Sequence, residues 1–133
     1  MDPRRTLTRL TRLLLGEATE LPVAMLQRYP MLRAVRWRRG GLPPRVGGWF
    51  LLRREVQGIT LGQTVFLSAS ANFDPALLLH EFAHVRQFAE VSAFPLRYAW
   101  QSLRHGYRGN RFERDADDYA AQVLGESLLP PEA

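Results

Sequence analysis

The residues with the clearest chemical potential are two histidines four positions apart. His80, Glu81 and His84 form the pattern His-Glu-x-x-His, which holds two of the three histidines in the chain. On an α-helix, residues i and i+4 lie on the same face, so both imidazoles can bind one metal ion. Glu81 lies beside that face, where it can take a proton from a water molecule at the metal. The pattern predicts a zinc (Zn2+) site with His80 and His84 as ligands and Glu81 as the catalytic base.

The segment that carries this pattern is apolar on nearly every side. Apolar residues precede and follow the first histidine, at positions 77–79 and at Phe82, Ala83, Val85 and Phe88. Such a helix is buried, and buried imidazole and carboxylate groups need partners, which a metal ion supplies. Asp74 as the N-cap and Pro75 at the first helical position predict a helix over residues 75–89.

A catalytic zinc site takes a third protein ligand and keeps one position for water. The chain has no cysteine, so the third ligand is a histidine or a carboxylate. The candidates are Glu90, His105, Glu113 and Asp117. Glu113 and Asp117 are i,i+4 on a helix predicted from about Arg111 to Leu124, where Gly125 should end it. One of these carboxylates could bind the metal while the other accepts a hydrogen bond from the free ring N–H of a ligand histidine.

The two patterns together, His-Glu-x-x-His and the later Glu-x-x-Ala-Asp of residues 113–117, resemble the gluzincin group of zinc peptidases. This resemblance implies that Glu113 is the third ligand and that Asp117 orients a ligand histidine. The chain resembles most closely the minigluzincins, including the peptidase-like domain of contractile-injection-system proteins. That resemblance lies in residues 58–65, 80–87 and 110–116, and the chain departs from the pattern at Phe82, Arg111 and Asp115.

The resemblance implies zinc-dependent hydrolysis of peptide bonds, in which Glu81 activates the water that attacks the scissile carbonyl. Gluzincins usually add a Tyr or His donor for the oxyanion, and His105 and Tyr107 are the candidates here. A metzincin site is rejected. Its HExxHxxGxxH pattern needs a glycine where this chain has Gln87, and a histidine where it has Glu90.

Two other functions fit parts of the sequence. One is a SprT-like, DNA-associated protease that takes His105, in a His-Gly segment, as its third ligand. The other is a zinc-stabilised binding module without turnover. It would dock an acidic partner or a nucleic acid through the Arg-rich residues 33–54, where Arg33, Arg36 and Trp37 mix basic and aromatic side chains.

These sites must be positioned by a single domain of 133 residues, whose order of helices, strands and helices predicts an α+β, zincin-like fold. Residues 1–45 form an Arg-rich helical segment, and residues 46–125 form the metallopeptidase core. Strands predicted at 49–52 and 58–67 would form a short antiparallel sheet. That sheet would pack on the helix that carries His80 and on the helix that carries Glu113.

Charge is uneven along the chain, since the first 54 residues carry 12 arginines and three acidic residues. Residues 4–15 place Leu7, Leu10 and Leu14 on one helical face and arginines on the other. That face could pack on its own domain or lie on an acidic membrane surface. No stretch has the ~18 apolar residues that a membrane span needs, and the N-terminal apolar run is too short for a signal peptide. We therefore expect a cytoplasmic location, and residues 1–45 could also serve as a prosegment.

Overall fold

The computed structural model of the chain describes residues 2–44 and 57–128, so the strand predicted at residues 49–52 lies outside the described ranges. Within these ranges the chain is α+β, as predicted, with five α-helices, one 3-10 helix and a four-stranded sheet. It forms two compact units, residues 1–72 and residues 73–133.

The first unit contains the sheet, two α-helices and the 3-10 helix. Its elements are α1 (Pro3–Leu15), β1 (Glu17–Ala18), α2 (Val23–Arg28), the 3-10 helix (Pro30–Ala34), β2 (Arg36–Arg39), β3 (Gly58–Leu61) and β4 (Thr64–Leu67). The β3 and β4 strands lie where the β-branched and aromatic residues predicted them.

The sheet has the order β1-β2-β4-β3 and is mixed. β1 pairs antiparallel with β2, and β3 pairs antiparallel with β4, but β2 and β4 run parallel, with Trp37 opposite Val65. The prediction of a purely antiparallel sheet is therefore wrong. A parallel pair needs a long crossover, and here one connects β2 to the β3–β4 hairpin, which local sequence patterns do not reveal. Two of the four strands come from residues 1–45, so that segment is part of the sheet.

The core of the first unit is small and apolar. Leu32, Val65 and Leu67 are completely buried. Trp37 is also buried, and its Nε1–H donates to the carbonyl oxygen of Leu32 at 3.0 Å. Because the indole N–H has this partner, the ring can be buried without leaving a donor unsatisfied.

Helix α1 contributes no buried side chain to the core of the first unit. It has no buried residue, and Leu7, Leu10 and Leu13 are 65%, 51% and 68% exposed. The alternative in which its leucines pack on its own domain is therefore wrong. In the part of the chain that the structure describes, no helix is both long enough and apolar enough to span a membrane.

The second unit is helical and carries the predicted chemical motifs. Its helices are α3 (Pro75–Glu90), α4 (Phe94–Gly109) and α5 (Arg111–Leu128). Helix α3 begins as predicted, because the Asp74 carboxylate accepts a hydrogen bond from the Ala76 N–H at 3.3 Å. Helix α5 continues through Gly125, which was expected to end it. Gly125 is exposed, so it costs the helix only about 1 kcal/mol and does not terminate it.

The core of the second unit lies between α3 and α5, where Leu78, Leu79 and Ala116 are completely buried. A cluster of aromatic rings lies at the side of this core that faces α4. The ring of Phe94 lies 4.7 Å from that of Phe88 and 5.1 Å from that of Phe112, both edge-on. Edge-to-face rings add to the apolar burial, and they fix α4 against the other two helices.

Two glycines in the first unit give a matched test of its geometry. Both have positive φ, +68° at Gly16 and +63° at Gly62. A Cβ at Gly62 would meet nothing within 4 Å, whereas a Cβ at Gly16 would overlap the carbonyl oxygen of Arg39. We expect Gly62→Ala to lower the free energy of unfolding by about 1–2 kcal/mol, the cost of a left-handed alanine.

Gly16→Ala should lower the free energy of unfolding by about 3 kcal/mol or more, because the backbone must also move. Urea denaturation followed by circular dichroism measures both changes. Equal losses in the two variants would contradict the close approach of Gly16 to β2.

Candidate metal centre

Three side chains from two helices converge on one point in the second unit: His80 and His84 of α3 and Glu113 of α5. Nε2 of His80 lies 3.0 Å from Oε2 of Glu113, and Nε2 of His84 lies 3.2 Å from Oε1 of the same carboxylate. The two Nε2 atoms are 3.2 Å apart. All three side chains are nearly buried, with 14%, 8% and 7% of the side chain exposed.

These distances fit a small cation held by two nitrogens and a carboxylate. Zn–N bonds of about 2.0–2.1 Å in a tetrahedral site place two ligand nitrogens about 3.3–3.4 Å apart. The observed Nε2 separation of 3.2 Å is close to this value. The candidate ligand atoms of the three residues all lie within 4.8 Å of one another. One ion could contact all three residues without a change of helix position.

The other ring nitrogen of each histidine already has a partner. Nδ1 of His80 lies 2.7 Å from Oδ1 of Asp117, and Nδ1 of His84 lies 2.8 Å from Oε1 of Gln87. A carboxylate oxygen and an amide oxygen only accept, so each Nδ1–H donates. In a neutral imidazole, Nε2 then carries the lone pair that a metal would bind. The Gln87 amide is itself fixed, since its Nε2 donates to the carbonyl oxygen of Phe112 at 2.9 Å. Both rings therefore have one tautomer and one orientation.

Glu113 is positioned by a tyrosine and by the start of its helix. The hydroxyl of Tyr98 donates to Oε1 of Glu113 at 2.6 Å. Asn110 is completely buried and caps α5, because its Oδ1 accepts from the Phe112 N–H at 2.9 Å. Its amide nitrogen also donates to Ser102 Oγ at 2.9 Å and to the Tyr98 carbonyl at 3.2 Å. Asn110 thus joins the first turn of α5 to α4, the helix that carries Tyr98.

The electrostatics of the cluster favour positive charge at the point of convergence. Burial lowers the pKa of His84, but its hydrogen bond to Glu113 and the charges of Glu81 and Glu113 outweigh burial and raise the pKa to about 9. The pKa of His80 is also raised, with Glu113 and Glu81 again outweighing burial.

The pKa of Glu113, the acidic member of the cluster, is shifted in the opposite direction. Burial alone would raise the pKa of Glu113, yet its hydrogen bonds to His80 and His84 hold that pKa far below its usual range. Burial and the charge of Glu113 raise the pKa of Tyr98, so that tyrosine remains a hydrogen-bond donor. The site therefore stabilises a carboxylate next to positively charged partners, and a metal cation meets the same requirement.

Glu81 is buried beside the two histidines. Its side chain is on α3, only 5% of the residue is exposed, and its charge acts on both His80 and His84. The catalytic role of Glu81 stays a prediction.

Glu90 and His105 are not part of the cluster that the described residues form. His105 is exposed, and Glu90 is exposed and pairs with Arg86 at 3.4 Å. Tyr107 is half-buried and acts electrostatically on Tyr98. The geometry does not support His105 as a third ligand, since the described residues that converge on His80 and His84 include Glu113 and not His105.

Sequence reasoning missed the roles of two residues that complete the cluster. Gln87 is i,i+3 from His84, so helical spacing could have identified it. Tyr98 carries no comparable signal. It is 15 residues from Glu113, and their contact depends on how α4 packs against α5.

The Arg-rich residues 33–54 were predicted as a partner surface, but their described part mainly stabilises the first unit. Trp37 is buried, so it cannot stack on a nucleic-acid base. Arg38 donates to the carbonyl oxygens of Leu15 and Gly16 at 2.7 and 2.8 Å. Arg39 donates to those of Ala69 and Ala71 at 3.2 and 2.7 Å. Arg33 and Arg36 remain exposed, and residues 45–54 lie outside the described ranges.

Comparison with protein-family models, curated proteins and solved structures finds no match to this chain. The arguments about its site therefore rest on its own residues and their geometry.

Asp117 gives a specific test of the cluster because a neighbouring aspartate can serve as its control. Asp117→Asn replaces the acceptor that orients His80 with a weaker, neutral one, so zinc affinity should fall by about 10–100-fold. Asp118→Asn removes the same charge from an adjacent exposed position of α5 and should leave zinc affinity within about twofold. Competition with a chromophoric chelator measures both affinities, and equal effects of the two substitutions would exclude the orienting role.

Proposed function

We propose that this chain is a zinc-dependent peptidase of the gluzincin type, with His80, His84 and Glu113 as the metal ligands and Glu81 as the catalytic base. One observation carries the proposal: two imidazole nitrogens and a carboxylate converge within 3.0–3.2 Å, while the outer nitrogens of both rings are already hydrogen-bonded. A zincin-like fold belongs to this proposal, and so does a cytoplasmic location.

The donor set favours zinc over the other common divalent cations. Mg²⁺ and Ca²⁺ prefer oxygen ligands in sets of six or more, whereas two imidazoles and one carboxylate suit zinc. Structural zinc sites are usually closed by four protein ligands, and catalytic sites use three. Among the described residues, the cluster supplies three. This count supports a catalytic site, in which one position is left for water or substrate.

Several residues of the chain would have separate roles in peptide hydrolysis. A bound zinc ion would supply Lewis acidity, which polarises a carbonyl and lowers the pKa of a water molecule. Asp117 and Gln87 hold the two imidazoles in the tautomer that presents Nε2. Tyr98 holds one oxygen of Glu113 and so limits rotation of that carboxylate.

Glu81 is the residue proposed to move the proton. Its carboxylate would accept a proton from the attacking water and later deliver it to the nitrogen of the leaving amine. Two observations support this assignment: Glu81 is buried, and its charge acts on both proposed histidine ligands. The substrate class proposed is peptide or protein, and it comes from the resemblance of the two motifs to those of gluzincins.

Two alternatives have less support. A SprT-like protease would need His105 at the metal, and His105 is exposed outside the cluster. A binding module without turnover would need an accessible recognition surface in residues 33–54. In the described part of that segment, Trp37, Arg38 and Arg39 instead make internal contacts.

Glu81→Gln separates an enzyme from a binding module. The substitution preserves shape and removes the proton acceptor, so zinc content should be unchanged while cleavage of a peptide library falls by at least ~10²-fold. Glu90→Gln is the control, because Glu90 is an exposed glutamate of the same helix. It should cleave like the wild type, and a chelator should abolish cleavage in both.

Cleavage that is equal in the wild type and Glu81→Gln would contradict the catalytic role. Zinc-loaded wild type that leaves every library peptide intact would instead favour the binding module. The full chain is the right sample for this test, because a truncation near residue 47 would remove β1 and β2 from the sheet.

A further inference from the structure

Helix α1 has an apolar face that is exposed in the part of the chain that the structure describes. No residue of α1 is buried, and its five leucines are between 43% and 68% exposed. At 100° per residue, Leu7, Leu10 and Leu14 form one continuous stripe along the helix. Single exposed leucines are ordinary, but a continuous stripe about two turns long is a candidate interaction surface.

The helix is formed and held in place without using this stripe. Asp2 caps its N-terminus by accepting from the Arg4 N–H at 3.0 Å. At the other end, the Leu42 N–H donates to the carbonyl oxygen of Leu14 at 3.1 Å, and Arg38 donates to that of Leu15 at 2.7 Å. Among the described residues, these hydrogen bonds join the last turn of α1 to the rest of the first unit. Since isolated helices of this length are marginal in water, a partner that covers the stripe would stabilise the remaining turns.

The charges on α1 indicate what that partner is. The helix contains four arginines and no acidic residue. Arg5, Arg9 and Arg12 lie on the face opposite the leucine stripe, and Arg4 lies at its edge. A protein groove would cover the stripe and leave the opposite face in water, so it would not account for the arginines. In a bilayer interface the leucines enter the acyl boundary, while long arginine side chains reach the phosphates of surrounding headgroups.

We propose that α1 is a peripheral membrane-binding helix, which attaches the chain to an anionic phospholipid surface through Leu7, Leu10 and Leu14. The basic residues supply attraction to acidic headgroups, and the leucines supply apolar burial. The inference is independent of the metal centre, whose residues all lie on α3, α4 and α5.

Two double substitutions of equal exposure test the apolar contribution. Leu7→Gln with Leu10→Gln changes residues that are 65% and 51% exposed, and Val23→Gln with Leu61→Gln changes residues that are 69% and 52% exposed. Co-sedimentation of the full chain with vesicles of phosphatidylcholine and about one-third phosphatidylglycerol measures partitioning. We expect the α1 pair to weaken partitioning at least about tenfold and the control pair to change it less than about twofold.

A second pair of variants tests the contribution of charge. Each variant loses two arginines, so the two have the same net charge. Arg5→Gln with Arg9→Gln should weaken binding to the anionic vesicles at least about tenfold, whereas Arg33→Gln with Arg36→Gln should have a smaller effect. Vesicles of phosphatidylcholine alone should bind the wild type weakly. Circular dichroism and zinc content should match the wild type in every variant, because none of these side chains is buried.

Three results would overturn the inference. The first is a failure of the wild type to sediment with anionic vesicles at low salt. The second is equal partitioning of the α1 variants and their controls, which would place any lipid contact elsewhere. The third is a self-associated wild type that Leu7→Gln with Leu10→Gln makes monomeric, without vesicle binding, since the stripe would then bind a second copy of the chain.

Discussion

The second unit is organised around atoms that repel one another unless positive charge lies between them. Nε2 of His80, Nε2 of His84 and both oxygens of Glu113 approach to 3.0–3.2 Å. When each histidine gives its Nδ1–H to Asp117 or Gln87, the atoms that meet all present lone pairs. Protons can meet this need, as the raised pKa values of both histidines indicate, and so can a divalent cation.

The packing of the three helices holds His80, His84 and Glu113 close together. Helices α3 and α5 share the core that contains Leu78, Leu79 and Ala116, so their relative position is fixed by close packing. Asn110 caps α5 and also donates a hydrogen bond to α4. It therefore fixes the start of the helix that carries Glu113 against the helix that carries Tyr98. The aromatic cluster around Phe94 lies against His84, whose ring is 6.4 Å away. A carboxylate and two imidazoles can stay this close because the structure around them resists rearrangement.

The parts of this unit that sequence analysis could predict are those that depend on local spacing. Asp74 and Pro75 identify the start of α3, and the i,i+4 spacing places His80 beside His84. Spacing also put Glu113 and Asp117 on one face of α5, but their assignment as ligand and orienting partner came from the resemblance to gluzincins. The β3–β4 hairpin was likewise predictable, because β-branched strands flank the turn at Gly62.

The parts that could not be predicted depend on contacts between distant elements. Tyr98 contacts Glu113 only because α4 and α5 pack side by side, and the parallel pairing of β2 with β4 is a non-local feature. The leucines of α1 have the spacing of a buried face, yet they are exposed. A periodic pattern shows that a helix has an apolar face but not whether its own chain covers that face.

A crystal structure of the zinc-loaded chain, with anomalous data collected on both sides of the zinc absorption edge, tests the central claim most directly. We expect one zinc peak within about 2.0–2.2 Å of Nε2 of His80, Nε2 of His84 and a carboxylate oxygen of Glu113, with the hydrogen bonds of Asp117 and Gln87 unchanged. A peak ligated by His105 in place of Glu113, or no peak at His80 and His84 at full zinc loading, would contradict it.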